Sequence, residues 1–322
     1  MADSNNMSDL WKRLRFVLIG IIVYRIGTHI PIPGIDPQRL SSLFDQNQGT
    51  ILELFNLFSG GALERMSIFA LNVVPYISAA IIMQLFSNSI PYLIELKKDG
   101  QAGRNAITQY TRYGTVLLAF IQASALAVTL SSGGLAYNPG TAFFVSAVFS
   151  VVAGTIFLMW LGEQISERGI GNGISIIIAT SILTGIPSAI GQALEQARQG
   201  DLNILMLLSI GVLAMVVIAV VVFIERGQRR ITVNYAQRQQ GRKLMQAQAS
   251  HLPFKVNMAG VIPAIFASTF LLFPASLSTW FGQGENFGFL QSISLALNPG
   301  QPLYVLTFAA LIISFCFIWL AL

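Results

Sequence analysis

Apolar residues run along this chain in long blocks rather than in alternation. The blocks cover residues 14–32, 73–88, 113–130, 142–161, 174–190, 204–224, 256–280 and 303–322, with polar segments between them. A helix rises ~1.5 Å per residue and a bilayer's hydrocarbon core is ~30 Å thick, so the pattern predicts eight membrane-spanning helices. The stretch before the second block is of a different kind. Residues 56–88 read NLFSGGALERMSIFALNVVPYISAAIIMQLFSN, opened by Gly60 and Gly61 and interrupted by Asn72 and Pro75. As a helix, residues 62–71 would be only ~15 Å long, too short to cross. They also include Glu64 and Arg65, which lipid rejects. From Val73 onward the chain reaches most of the way across. The reading is a short half-inserted helix that leads into a span. Broken backbone at membrane depth is tolerated only inside protein or beside water. A cavity is therefore expected here, with the other spans as its walls.

Composition removes the soluble alternatives. Hydrophobic residues make up 54% of the chain and charged residues 10%, against roughly a quarter charged in soluble domains. The single cysteine, Cys316, lies in an apolar block, so disulfides play no part. The N-terminus is polar and then basic, unlike a cleaved signal peptide. The formal charge of +5 matters through its distribution. With the N-terminus in the cytoplasm, nearly all lysines and arginines fall on inner segments, which sets the orientation. Arg25 is within the first span and reads as an arginine reaching for the outer interface. Pro31, Pro33 and Gly34 stop that helix.

Residues 225–253 form the longest inner segment. ITVNYA (231–236) alternates as a strand, and a turn near Gln240 and Gly241 would return it as a hairpin. Arg229, Arg230, Arg238, Arg242 and Lys243 decorate it. Positive charge here serves topology, but only near span ends. Arg238, Arg242 and Lys243, at the tip, read as a docking site for an acidic partner or RNA phosphates.

Groups for covalent chemistry are missing from the sequence. It has no metal-ligand cluster, no phosphate-binding loop, no lysine in a span, and no histidine there except His29 at the end of the first block. No enzyme activity and no cofactor are expected. GIGNG (169–173) follows a membrane helix and reads as a turn, not a dinucleotide site. What remains is a water-accessible path. Val73 and Ile77 share a helical face, as do Ile174 and Ile178, and Ile265 follows Pro263. By spacing alone ordinary packing is the better reading of these pairs, ahead of a pore lining. Gln84 and Asn257 are polar positions in or near spans, where interhelical hydrogen bonding is the plain reading. The alternative function is a secondary solute transporter built on inverted repeats, which would need polar ligands at the midplane.

Seven stretches carry a resemblance: VYRIGTHIPIPGID (23–36), FNLFSGGALERMSIFAL (55–71), PYISAAIIMQL (75–85), GRNAITQYTRYGT (103–115), MWLGEQISERGIGNGISIII (159–178), ERGQRRITVNYAQRQQGR (225–242) and HLPFKVNMAGVIPAIFAS (251–268). Together they resemble the SecY family, the channel subunits of the bacterial Sec protein translocase, over nearly the whole chain. The resemblance implies an all-α inverted-repeat clamshell with a plug at 56–71 that includes Gly60, Gly61, Glu64, Arg65 and Ser67. It makes Val73, Ile77, Ile174, Ile178 and Ile265 five of six constriction positions, and Gln84 and Asn257 lateral-gate positions. It implies SecA and ribosome docking on 225–253 and partnership with SecE and SecG. The work would be translocation of unfolded secretory chains, gated by signal sequences, with lateral release into lipid of the bacterial inner membrane. The family has ten spans. Eight here predict a complete N-terminal half (1–190), an incomplete C-terminal half (191–322) and a natural chain running beyond Leu322.

Overall fold

The structure, a computed structural model, describes residues 2–46, 56, 59–200, 203–233, 239–240, 243–244, 250–255, 257, 260, 263–264, 266–268, 270–271 and 301–321. Its helices are α1 (Ala2–Gly27), α2 (Pro37–Gln46), α3 (Val74–Ser89), α4 (Pro91–Lys98), α5 (Gln101–Ser132), α6 (Thr141–Arg168), α7 (Gly173–Gln199), α8 (Ile204–Arg226) and α9 (Pro302–Ala321). Four short strands, β1 (Gln228–Val233), β2 (Gln239–Gln240), β3 (Lys243–Leu244) and β4 (Ser250–Lys255), lie between α8 and α9.

Among the described residues, α5, α6, α7 and α8 are long and apolar enough to cross a membrane. The pair α3 and α4, bent by 93° at Ile90, adds a fifth if read as one broken span. Four apolar blocks of the sequence fall within α5 to α8, and the last falls in α9. The first block is helical only to Gly27, and the chain leaves the helix before Pro31. In the block 256–280 the described positions 263–264, 266–268 and 270–271 are helical, and the rest lies outside the described residues.

Helix α5 has 32 residues, about 48 Å at the usual rise. Its apolar part starts near Tyr113, so the first dozen residues extend beyond it. Helix α4 runs beside this polar start so closely that a Cβ at Gly103 would overlap the Leu96 carbonyl.

The chain divides into two compact units, Met1–Ala189 with Phe266–Ile312, and Ile190–Ile265 with Ile313–Leu322. The first unit holds two apolar clusters. One gathers Ile32, Leu63, Met66, Leu130, Phe143 and Val151, and the other Val17, Tyr24, Phe69, Leu158, Ile165 and Ile177. The helical hairpin of α6 and α7 is tight. Gly173 presses on the Gly162 carbonyl, where a Cβ would overlap it. The Ser166 hydroxyl accepts from Gly173 N at 2.8 Å, and Asn172 Oδ1 accepts from Ile174 N at 3.0 Å, which starts α7. In the second unit, β1 pairs antiparallel with β4 and β2 with β3. Gln228 faces Lys255 and Gln239 faces Leu244, so one antiparallel register carries through both ribbons. β1 and β4 give the antiparallel return expected of the hairpin, while residues 234–236 and the expected turn residue Gly241 lie outside the described residues.

Candidate functional site

Between α1 and α3 the chain folds into a buried insert. Residues 60–73 form a succession of turns, which corrects the half-helix expected over 62–71. Backbone conformation gives the reason. Gly60, Gly61, Met66 and Asn72 have φ of 66°, 78°, 45° and 49°, and left-handed residues cannot be continued as a right-handed helix. The turns are tied to the chain after α1. Ile32 N donates to Met66 O at 2.9 Å and Ile68 N to Ile30 O at 3.1 Å, making a single antiparallel bridge between Pro31 and Ser67.

Three helices hold this insert. Phe69 stacks on Tyr24 of α1 with ring centroids 6.1 Å apart and on Phe157 of α6 at 5.9 Å. Its ring lies where a Cβ of Gly27 would be, and Gly154 of α6 touches the Ile68 carbonyl just as closely. On α7, Ser181 and Thr184 crowd Gly60, whose Cβ would be 3.0 Å from Thr184 Oγ1. Arg25, read from the sequence as reaching for the outer interface with a cavity-facing role as the alternative, is half-buried. Its Nη1 lies 3.4 Å from the Gly60 carbonyl.

The remaining insert residues have defined places. Glu64 is exposed and bonded twice to Asn56, whose Oδ1 accepts from Glu64 N at 3.1 Å and whose Nδ2 donates to Glu64 Oε2 at 3.0 Å. Arg65 is exposed, with Nη1 3.3 Å from His29 Nε2. Ser67 is fully buried and its hydroxyl accepts from Phe69 N at 3.2 Å.

Directly after the insert come the candidate lining residues. Val73 caps the start of α3 and is 1% exposed. Ile77 of α3 and Ile174 and Ile178 of α7 are half-buried and pack on the same apolar cluster. Four of the five aliphatic positions are thus gathered beside the insert. Ile265 lies outside the described residues. Gln84 sits half-buried on α3, and its carbonyl accepts from Ser87 and Asn88. In the second unit, Asn257 donates to Glu225 Oε2 at 3.2 Å and accepts from Gly260 N at 3.2 Å. Arg229 and Arg230 are exposed on β1, and Lys243 belongs to β3. Arg238 and Arg242 lie outside the described residues.

Three polar contacts escaped sequence reasoning. Tyr24, Asn72 and Ser181 meet in the buried interior, where the Tyr24 hydroxyl is 2.6 Å and Asn72 Nδ2 2.9 Å from Ser181 Oγ. Arg112 of α5 grips Glu163 of α6 through two bonds of 2.8 and 2.9 Å. The sequence shows each residue but not its partner, since 157, 109 and 51 positions separate the pairs.

A sequence model of the SecY family matches residues 67–322. Protein translocase subunit SecY of Pseudomonas aeruginosa is 62% identical over 320 residues, covering 99% of this chain and 72% of the relative. The Escherichia coli K12 subunit of that name is 59% identical over 325 residues, covering 100% and 73%. Its namesake from Buchnera aphidicola subsp. Acyrthosiphon kondoi, also 59% identical, is covered to 91%. Among solved structures, a protein-conducting channel superposes with a TM-score of 0.60 at 21% identity, over 84% of this chain and 59% of that one. A SecY structure that describes a plug domain stabilising the closed translocation channel also scores 0.60. Sec61 in a canine ribosome–channel complex scores 0.59. At such identities these likenesses establish the fold.

Proposed function

This chain belongs to the SecY family, and from that premise we propose that it walls a protein-conducting channel closed by the insert at 60–73 and the aliphatic side chains behind it. One observation carries the reading. Val73, Ile77, Ile174 and Ile178 gather beside a run of turns that is wedged among α1, α6 and α7 and leads into α3. Branched aliphatic side chains can shut a pore by dewetting and still yield around an unfolded polypeptide. The insert acts as the plug, and its displacement opens the vertical path. Ile265 adds a further constriction position, and Gln84 and Asn257 border the lateral gate through which a signal helix reaches lipid. The channel performs no covalent chemistry, so the driving force comes from its partners.

Family membership supports the partners proposed here. SecA and the ribosome dock on 225–253 through Arg229, Arg230, Arg238, Arg242 and Lys243. Exposed arginines on β1 support this, as does the ribosome–channel complex of the canine relative. SecE and SecG complete the complex. The chain lies in the bacterial inner membrane with its N-terminus in the cytoplasm, in keeping with the distribution of lysine and arginine.

The test is crosslinking of a stalled secretory chain to photoreactive probes at Ile77 and Ile178. Labelling at both is expected, and labelling at neither overturns the reading. Ile77→Ser with Ile178→Ser should raise ion leakage through the resting channel, measured as conductance in planar bilayers, by wetting the constriction.

A further inference from the structure

We propose that the Ser181 hydroxyl of α7 is a latch that holds both ends of the plug segment, so that Tyr24, Asn72 and Ser181 set how readily the channel opens. The proposal rests on the channel reading above.

The segment runs from Ser59 to Asn72, and a single serine reaches both of its ends. At the far end the contact is direct, Asn72 Nδ2 donating to Ser181 Oγ at 2.9 Å. At the near end Tyr24 relays it. The Tyr24 hydroxyl lies 2.6 Å from Ser181 Oγ and 3.1 Å from the Ser59 carbonyl. A serine hydroxyl has one proton and two acceptor sites, and a tyrosine hydroxyl likewise one proton. Two arrangements satisfy these limits. In one, Tyr24 donates to Ser181, which donates to the Ile177 carbonyl 2.9 Å away. In the other, Ser181 donates to Tyr24, which donates to Ser59. Asn72 donates to Ser181 in both, but the Tyr24 proton reaches the Ser59 carbonyl only in the second, so the second is the arrangement that latches both ends, with Ser181 the common member.

The surroundings make these bonds count. Tyr24, Ser59, Asn72 and Ser181 are all at most 2% exposed, and a buried polar group without a partner is costly. When the segment leaves, Ser181 and Tyr24 lose these partners together, so the network favours the closed arrangement alone. Asn72 combines two demands. Its φ of 49° suits asparagine better than most side chains, and its amide reaches α7. Glycine meets the backbone demand but not the other, which supplies a clean probe.

Tyr24→Phe keeps the ring that stacks on Phe69, Asn72→Gly keeps the left-handed turn, and Ser181→Ala removes only the hydroxyl. Each is made in the full protein in its native membrane. Resting ion leakage and export of a precursor with a defective signal sequence are measured beside export of a normal precursor. Each variant should export the normal precursor at the wild-type rate. Leakage and defective-precursor export should rise roughly two- to tenfold, the shift expected for one hydrogen bond. Ser181→Ala combined with Asn72→Gly should exceed Ser181→Ala by little, because both act through one hydroxyl. Normal accumulation with unchanged leakage and stringency overturns the latch. Failure of all three variants to accumulate also overturns it, since the network is then a folding requirement. If the wild-type chain itself exports no precursor, the channel reading fails instead.

Discussion

Helix α6 is packed by α1, by α5 and by the turns at 60–73, whereas α8, in the other unit, is exposed along its whole apolar length. Hydrophobicity does not separate them, because α8 is the more apolar of the two. The spacing of small residues does. The buried positions of α6 include Ala147, Val151, Gly154, Leu158, Gly162 and Ile165, each three or four after the last. That is one helical stripe with room for a neighbouring backbone. In α8, Ser209, Gly211, Ala214 and Ala219 follow one another by two, three and five positions, which does not repeat on one helical face. Inside a membrane lipid is as apolar as leucine, so close backbone approach selects the packed face. The contrast teaches that a span's neighbours are written in its glycines and hydroxyls, and its membrane residence in everything else.

The strongest way to break the contrast is to fill the stripe. Gly154→Leu should destabilise the chain by about 3 kcal/mol, because even a Cβ overlaps the Ile68 carbonyl. Gly211→Leu on α8, where nothing lies within 4 Å, should change stability by less than ~0.5 kcal/mol. Thermal unfolding of the purified protein in detergent compares the two, and equal losses would remove the distinction.

A smaller effect comes from the glutamates at the helix ends. Glu163 is held by a guanidinium fork and Glu225 by the amide of Asn257. Glu163→Gln should cost up to about 1 kcal/mol, discounted because Arg112 is 46% exposed. Glu225→Gln should cost less, since its replacement still accepts from an amide. A double-mutant cycle with Arg112→Ala isolates the first pair, and a coupling of zero would show that the fork does not join α5 to α6.

The smallest effect should follow Val216→Leu with Val220→Leu on α8. Exposed on α8 at 53% and 50%, these side chains should tolerate the change within ~0.5 kcal/mol. A larger loss in the same melts would mean that α8 is packed by a neighbour with the care seen around α6.

Much of this was legible in the residues. Apolar blocks locate α5 to α8, and the alternation at 231–236 with a turn near Gly241 locates the hairpin. The blocks understate α5, because a polar helical start such as 101–112 leaves no hydropathy signal. The insert at 60–73 was recognisable as a break, but its conformation was not. Gly60, Gly61 and Asn72 carry a signal for left-handed backbone, whereas Met66, next to the bridge between Ser67 and Pro31, carries none. Val73 with Ile77, and Ile174 with Ile178, could be put on shared faces by spacing, since each pair is local, but their proposed lining role comes from the family resemblance and not from spacing. Tyr24 and Ser181 could not be paired, because a hydroxyl in an apolar block does not announce a partner 157 positions away.

The length of α5 bears on how the membrane is sensed from outside. Residues 101–112 carry the helix about 18 Å past its apolar part, with α4 braced against it. Counter-ions damp an exposed charge over ~8–10 Å at physiological ionic strength, and the field of anionic headgroups fades over the same distance. A molecule that meets the tip of α5, near Arg104, therefore feels little of the lipid's electric field. At that height the local potential is written by the side chains of α4 and α5, and a change of lipid composition should leave it nearly untouched.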